Sequence, residues 1–308
     1  MRRIITFLIL QYQTADETEA CVESIRLLES SDYDKRIIIV DNCSTNGAFE
    51  QIEARYADDP LVELLRTKGN LGFSGGNNFG YSAVDRENTR FLVVTNNDVI
   101  FFQEDFIDRI AHCYDAYDFD IAGPDILIQN SVFPDMLRNS NPIHRSLTTA
   151  SAIKKAKKTF SRASLTIGAY GEHGLQVALM KTEQGKKLMR SIYEKRGWVL
   201  KPQEVQHGVT LQGACLILGP RFLERFDAVF DPPTFLGFEE DILALRAKAE
   251  GLTTVYDPSL QVLHNHHATF RADQKNVSKS VDNETKWSKE ALGILEDYYQ
   301  ALVRDGKV

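Results

Sequence analysis

The sequence predicts an α/β protein with a mostly parallel central sheet and helices on both faces. Three observations lead there. Short aliphatic runs fill residues 4–10, 36–40 and 91–95. Amphipathic stretches with apolar spacings of three and four lie between them. The second run ends on Asp41, and Asp98 closely follows the third. Strands that alternate with helices in this way form parallel sheets covered on both sides.

Residues 4–10 read as the first strand. Residues 16–29 read as a helix, because Cys21, Ile25 and Leu28 share one face. The run 36–40 is a second strand, ending on Asp41-Asn42. Phe49, Ile52 and Tyr56 mark a second helix, and residues 62–65 a short strand. A glycine-rich loop then leads into a helix over 77–84, followed by the strand 91–95. Phe106, Ile110 and Cys113 line one face of a helix over 105–114.

The alternation then stops. Residues 151–201 carry twelve Lys or Arg against three Glu, so residues 130–208 read as a basic helical insertion. Core character returns from Thr210, with an apolar run over 211–218 and helices over 220–226 and 239–250. Strands follow at 254–256 and 261–264, then a polar helix over 283–303. One domain is expected, made of segments 1–129, 130–208, 209–270 and a helical tail, 271–308.

The chain has 308 residues, 43% of them hydrophobic and 26% charged, as in a water-soluble globular protein. A net charge of −7 argues against nucleic acid as a partner. No apolar run reaches the roughly 18 residues of a membrane span. The apolar start of the chain lacks a small-residue cleavage site and reads as a buried strand. Cys21, Cys43, Cys113 and Cys215 are scattered without a CxxC pair, which suits reduced thiols in a cytoplasmic protein and gives no zinc site.

Five places could carry chemistry. Asp41 at a strand end could accept from a ribose hydroxyl or a base N–H, and a helix-capping turn explains it equally well. The segment 69–80 holds five glycines and the amides Asn77 and Asn78. It suits close backbone approach to a ligand, although no P-loop pattern is present. Asp98, after Asn96-Asn97, stands where open α/β sheets place ligands, and a hard oxygen there suits Mg²⁺ or Mn²⁺. Glu239-Glu240-Asp241 opens a helix after the apolar approach Phe235, Leu236 and Phe238. Adjacent carboxylates in such surroundings call for a cation or polar ligand, and one could serve as a general base. His264 ends the last strand, and its value as a ligand depends on meeting Asp98.

In this order, these elements resemble the family 2 glycosyltransferases of the GT-A fold, a Rossmann-like arrangement. The likeness is to the bacterial branch that builds surface polysaccharides, rhamnosyltransferases included. It rests on Val40-Asp41-Asn42, GNLGFSGGNN at 69–78, TNNDV at 95–99 and GACLI at 213–217. FLGFEEDILALRAKAEG at 235–251 and VYDPSLQVLH at 255–264 complete it.

The resemblance implies an inverting transfer of a sugar from a dTDP- or UDP-sugar to a glycan or lipid-linked acceptor. Gln11, Asp41, Asn70, Gly76, Asn77, Asn96 and Asn97 would bind the donor. Asp98, with His264, would hold Mg²⁺ or Mn²⁺; Asn96 replaces the first acid of the family's DxD-like motif. Glu240, six residues before Arg246, would be the base, with Glu239 and Asp241 as rivals. Segment 1–129 would hold the nucleotide sugar, and 209–270 the catalytic and acceptor groups. Two alternatives stand beside this: a nucleotidyltransferase, which would want a basic glycine-rich loop near the amino terminus, and a non-catalytic nucleotide-sugar-binding module. Lys154, Lys155, Lys157 and Lys158, flanked by Ile153 and Phe160, suggest peripheral attachment to an anionic membrane on its cytoplasmic face.

Overall fold

A computed structural model describes residues 3–130, 132–159, 182–201, 203–265 and 277–308. Its centre is one sheet in the order β3-β2-β1-β4-β9-β6-β10-β5. The strands are β1 (Arg3–Gln11), β2 (Tyr33–Asp41), β3 (Val62–Arg66), β4 (Thr89–Asn96), β5 (Val99–Ile100), β6 (Ile121–Gln129), β9 (Cys215–Leu218) and β10 (Thr254–His264). Two short strands lie off this path: β7 (Leu137–Asn139) pairs with β6, and β8 (Gln206–His207) with β10. The long strands β1, β2, β4, β6 and β10 share one direction, while β9 runs against both neighbours. The expected α/β architecture is present.

Alternation along the strands builds two cores. Ile5, Phe7 and Ile9 of β1 join Ile37, Ile39, Phe91 and Val93 on one face. That face is covered by α1 (Ala15–Arg26), α2 (Ala48–Tyr56) and α4 (Phe106–Tyr117). Leu8, Ile38, Val40, Leu92 and Val94 point the other way, towards α3 (Gly72–Tyr81), α7 (Pro220–Arg225) and α8 (Glu239–Glu250). Both faces of these strands are buried, so the sequence reads as continuous apolar runs.

The structure revises several expectations. The glycine-rich segment is itself the start of α3, which begins at Gly72 instead of residue 77. The strand β6 had no counterpart in the sequence reading. The two strands expected at 254–256 and 261–264 are one strand, β10, with an irregular register between Asp257 and Gln261. The segment 130–208, expected as a helical insertion, also contributes two short strands to the sheet, β7 beside β6 and β8 beside β10. Its helix α5 (Ala150–Thr159) buries Ile153 against Ile242 and Leu245 of α8 and Leu292 and Leu295 of α9 (Val277–Arg304). A further helix, α6 (Glu183–Lys195), starts on Thr182, whose hydroxyl accepts from the Gly185 N–H.

Candidate active site

β1 neighbours β2 on one side and β4 on the other, so the crevice past its carboxyl end is a topological switch point, where open sheets bind ligands. Gln11 lies opposite Asp41, and Leu10 opposite Asn96. Gln11 and Asp41 are buried and each keeps an open valence. The Gln11 Oε1 accepts from Ser44 Oγ at 3.1 Å, but its Nε2 has no hydrogen-bond partner. Asp41 Oδ2 accepts from the Ser44 N–H at 3.0 Å and pairs with Arg66 Nε at 3.3 Å, while Oδ1 is unpartnered. One donor and one acceptor therefore remain available at adjacent strand ends, the pair needed to read a polar ligand edge.

Asn42 holds the next wall in place. Its amide donates to Asn70 Oδ1 at 3.1 Å and to the Gly72 carbonyl at 3.0 Å, and its Oδ1 accepts from the Leu71 N–H. The first two N–H groups of α3 are also spoken for. Gly72 donates to Asn70 Oδ1 at 2.8 Å and Phe73 to the Phe235 carbonyl at 2.6 Å. Those two donors are held by protein groups, which leaves only the next N–H groups of the turn for a ligand. Asn70 acts here as a brace and is itself exposed. Gly76 packs on Leu10; a Cβ there would lie 2.5 Å from Leu10 Cδ1. Asn77 is buried, donates to the Phe73 carbonyl at 3.0 Å, and leaves its Oδ1 unpartnered.

The asparagines after β4 divide the work. The Asn96 N–H donates to the Ala214 carbonyl at 3.0 Å. Asn97 turns away and donates to Thr14 O, Thr14 Oγ1 and Thr18 Oγ1, tying the β4 exit to the start of α1. Asp98 and His264 do meet, with Oδ1 and Nε2 3.1 Å apart and both side chains buried. This separation is about that of two neighbouring ligands, each roughly 2.1 Å from one octahedral ion. Among the described residues there is no group of three or more His, Cys, Asp or Glu suited to a metal. A divalent ion here would draw two ligands from this pair and the rest from outside the described residues.

The three acids at the start of α8 have distinct surroundings. Asp241 is buried and accepts from the Ser146 hydroxyl and the Leu147 N–H, which anchors the chain leading to α5. Glu239 is buried, accepts from Thr234 Oγ1 at 3.3 Å, and through Thr234 meets Ser74 of α3. Burial, with the Glu240 charge beside it, pushes the Glu239 pKa up to about 8. Glu240 keeps partial exposure and accepts from the Gly213 N–H at 3.2 Å. Burial also raises its pKa. Because Ala214 holds Asn96 while Gly213 holds Glu240, the 213–214 segment brings the acid to the strand-end crevice. Arg246 stays within its own core, donating to the Ala228 and Val229 carbonyls and lying 4.1 Å over the Phe226 ring.

The family model for glycosyl transferase family 2 matches residues 6–175, more than half of the chain. The chain belongs to that family. Its architecture is the GT-A fold of that family. Among solved structures, S. aureus TarS 1-349 is similar at a TM-score of 0.51 and 11% identity, over 87% of this chain and 61% of TarS 1-349. A second S. aureus TarS structure gives a TM-score of 0.50 and 11% identity, over 86% of this chain and 37% of that one. TarS 1-349 has also been solved with UDP-GlcNAc; that structure aligns at a TM-score of 0.36 and 15% identity, over 42% of this chain and 36% of that one. The chain thus spans less than two thirds of the TarS chains it matches. No curated protein gives a significant match.

The sequence reading missed the supports of this candidate site. Arg66 reaches Asp41 from a neighbouring strand, and Ser44 and Thr234 link Asp41 and Glu239 to the distant Gln11 and Ser74, which no local pattern marks. Asn42 stood in the quoted Val40-Asp41-Asn42 turn, and Gly213 opened the quoted GACLI segment.

Proposed function

We propose that this glycosyltransferase takes a sugar from a nucleoside-diphosphate donor and passes it, with inversion, to a glycan or lipid-linked acceptor in bacterial surface polysaccharide synthesis. The observation that carries the reading is the Glu240 carboxylate, held by the Gly213 N–H beside the crevice where Gln11 Nε2 and Asp41 Oδ1 lie buried with open valences. The pyrimidine-type base of a dTDP- or UDP-sugar offers the matching acceptor and N–H. Asn77 Oδ1 adds an acceptor for a hydroxyl.

Asp98 and His264 would hold Mg²⁺ or Mn²⁺, which neutralises charge developing on the departing diphosphate. Glu240 takes the proton of the acceptor hydroxyl as that oxygen attacks the anomeric carbon. Its raised pKa gives a stronger base than an ordinary glutamate. Buried Glu239, whose pKa is pushed up to about 8, carries a proton at neutral pH and spares Glu240 a neighbouring charge. Asp241 is committed to Ser146 and Leu147, so it serves the fold. Segment 1–129 supplies the donor groups and segment 209–270 the base.

The leading donor is dTDP-rhamnose, by the motif resemblance. Nucleoside diphosphate release from a panel of dTDP- and UDP-sugars, with and without Mn²⁺, tests the reading. Release stimulated by an acceptor and lost in Glu240→Gln is the expected result. Nucleotide-sugar hydrolysis that is indifferent to both would overturn it.

Among the described residues no helix is long and apolar enough to cross a membrane. Lys154, Lys155, Lys157 and Lys158 are all exposed on α5, which supports electrostatic attachment to an anionic surface. Ile153, expected to help such contact, is buried against α8 and α9 instead. Phe160, Leu165 and Ile167 lie outside the described residues.

A further inference from the structure

Arg138 of β7 carries a charge that no described protein group answers. It is half-buried, and its guanidinium lies 4.5 Å over the Trp198 ring. Its Nε is buried without a hydrogen-bond partner. Burial lowers its pKa, and no neighbouring charge offsets that shift. Asp135, the acid nearest in sequence, is paired with Arg190. Trp198 in turn meets Tyr193 of α6 with ring centroids 6.1 Å apart, and Tyr193 meets Phe133 at 5.9 Å. The arginine is thus seated on a braced aromatic face, and stacking of this kind leaves the N–H edge of the guanidinium for a ligand.

Strand register places this cation at the strand-end crevice. Ile128 lies opposite Arg138 in the β6–β7 pairing and opposite His264 in the β6–β10 pairing. The three form one row across the sheet, and two strand spacings put Arg138 roughly 10 Å from His264. The chain after Arg138 runs beside the segment that supports Glu240. Ser140 Oγ donates to Gln212 Oε1 at 2.7 Å, and Asn141 Oδ1 accepts from the Gln212 N–H at 3.0 Å. Gly213, the next residue, donates to Glu240. One short stretch of chain therefore ties Arg138 both to the row of His264 and to the support of the acid.

The charge selects the ligand chemistry. A half-buried cation without a counter-charge is costly, and an anion offsets that cost. The guanidinium fork matches the paired oxygens of a carboxylate or a phosphate. Phosphate is the class that the proposed transfer consumes and releases, so the choice between the two rests on that reading. The site itself rests on the unpaired guanidinium and its place in the row.

We propose that Arg138, stacked on Trp198, binds a phosphate oxyanion of a substrate in this crevice. The chain has two tryptophans, so Trp287→Phe leaves Trp198 as the sole reporter beside the guanidinium. Its emission is followed in the full chain during titration with UDP, dTDP, uridine and glycerol 3-phosphate. At least one phosphate-bearing probe should change it, and uridine should not. A response to UDP or dTDP assigns the donor diphosphate; a response to glycerol 3-phosphate alone assigns a phosphate of the acceptor. Calorimetry with the responding probe should show binding at least tenfold weaker in Arg138→Gln, through loss of charge-assisted hydrogen bonds. Arg138→Lys, which keeps the charge without the fork, should lie between, and it carries the comparison if the Gln variant fails to fold. Unchanged emission with every probe, an equal response to uridine, or wild-type affinity in Arg138→Gln and Arg138→Lys would each overturn the proposal. Phosphate binding here in a protein that releases no nucleoside diphosphate would uphold this site while the proposed transfer failed.

Discussion

Asp98 Oδ1 and His264 Nε2 stand 3.1 Å apart, joining the turn after β4 to the last residue of β10. A carboxylate and an imidazole at that spacing, at the edge of the strand-end crevice, would suit one divalent ion. Asp98→Asn should nearly abolish transfer, while His264→Gln should mainly raise the Mn²⁺ concentration needed for half activity. Thermal stability of Asp98→Asn should move within about 0.5–3 kcal/mol. Wild-type activity of that variant at limiting Mn²⁺ would show that the ion binds elsewhere.

The three acids should separate by phenotype. Glu240→Gln should lower kcat by about 10²–10⁴ and leave donor binding intact. Asp241→Ala should chiefly destabilise, because it removes the Oδ1 that accepts from both Ser146 and Leu147. Steady-state kinetics and thermal melts on all three single variants distinguish these outcomes. If Glu239→Gln alone removes turnover, the base sits one residue earlier.

Stability should depend on pH through Glu239. Its folded pKa, pushed up to about 8 by burial and Glu240, exceeds the ordinary value of 4.5. Between these values the folded chain binds more protons than the unfolded one, so stability falls as pH rises. The contribution is full below about 4.5 and lost above about 8. Melting temperatures from pH 5 to 9 should decline, and Glu239→Gln should flatten that decline. A slope unchanged by the substitution would assign it to other groups. Activity should follow the opposite sense, falling as pH drops through the raised Glu240 pKa.

The exposed lysines of α5 should matter at an anionic surface. Each basic residue there contributes about 1 kcal/mol. Changing Lys154, Lys155, Lys157 and Lys158 to Gln should abolish co-sedimentation with phosphatidylserine vesicles. Lys157 loses its ion pair with Glu296 in the same change, so a melt of the variant is the control. Equal sedimentation of both proteins, or of neither, removes the membrane reading.

Much of this was legible in the sequence because the strands are buried on both faces and announce themselves as apolar runs. Asp41, Asp98 and His264 could be placed at strand ends for the same reason. The glycine segment misled because glycines are poor helix formers, yet α3 needs them where it packs. A Cβ at Gly80 would lie 2.4 Å from Leu8 Cδ1, and one at Gly76 2.5 Å from Leu10. The strand β6 was hidden by Gly123-Pro124-Asp125 in its middle. Asn97 looked like its neighbours, and only the fold shows it facing Thr14 and Thr18. The role of Asp241 was illegible because Ser146 and Leu147 lie far from it along the chain.

Gly72 gives the sharpest test of how the donor wall and the acid helix are coupled. Its φ is +73°, a region that L side chains rarely adopt. A Cβ there would fall 2.2 Å from the Phe235 carbonyl oxygen, which accepts from the Phe73 N–H. Phe235 also packs on Trp287 of α9 with ring centroids 4.8 Å apart, so the loop has little freedom to retreat. Gly72→Ala must therefore displace the segment leading to Glu239 and Glu240. Gly47 is the natural control, since its φ of +86° is similar but no atom lies within 4 Å of its Cβ position. Gly47→Ala should cost only the backbone term, about 1 kcal/mol, and leave kinetics unchanged. Gly72→Ala should destabilise by several times as much, or fold with kcat reduced more than tenfold. Urea melts and steady-state kinetics on both variants decide between a coupled and an independent loop. Equal costs for the two substitutions, with normal turnover, would mean that the 234–238 loop moves freely of α3.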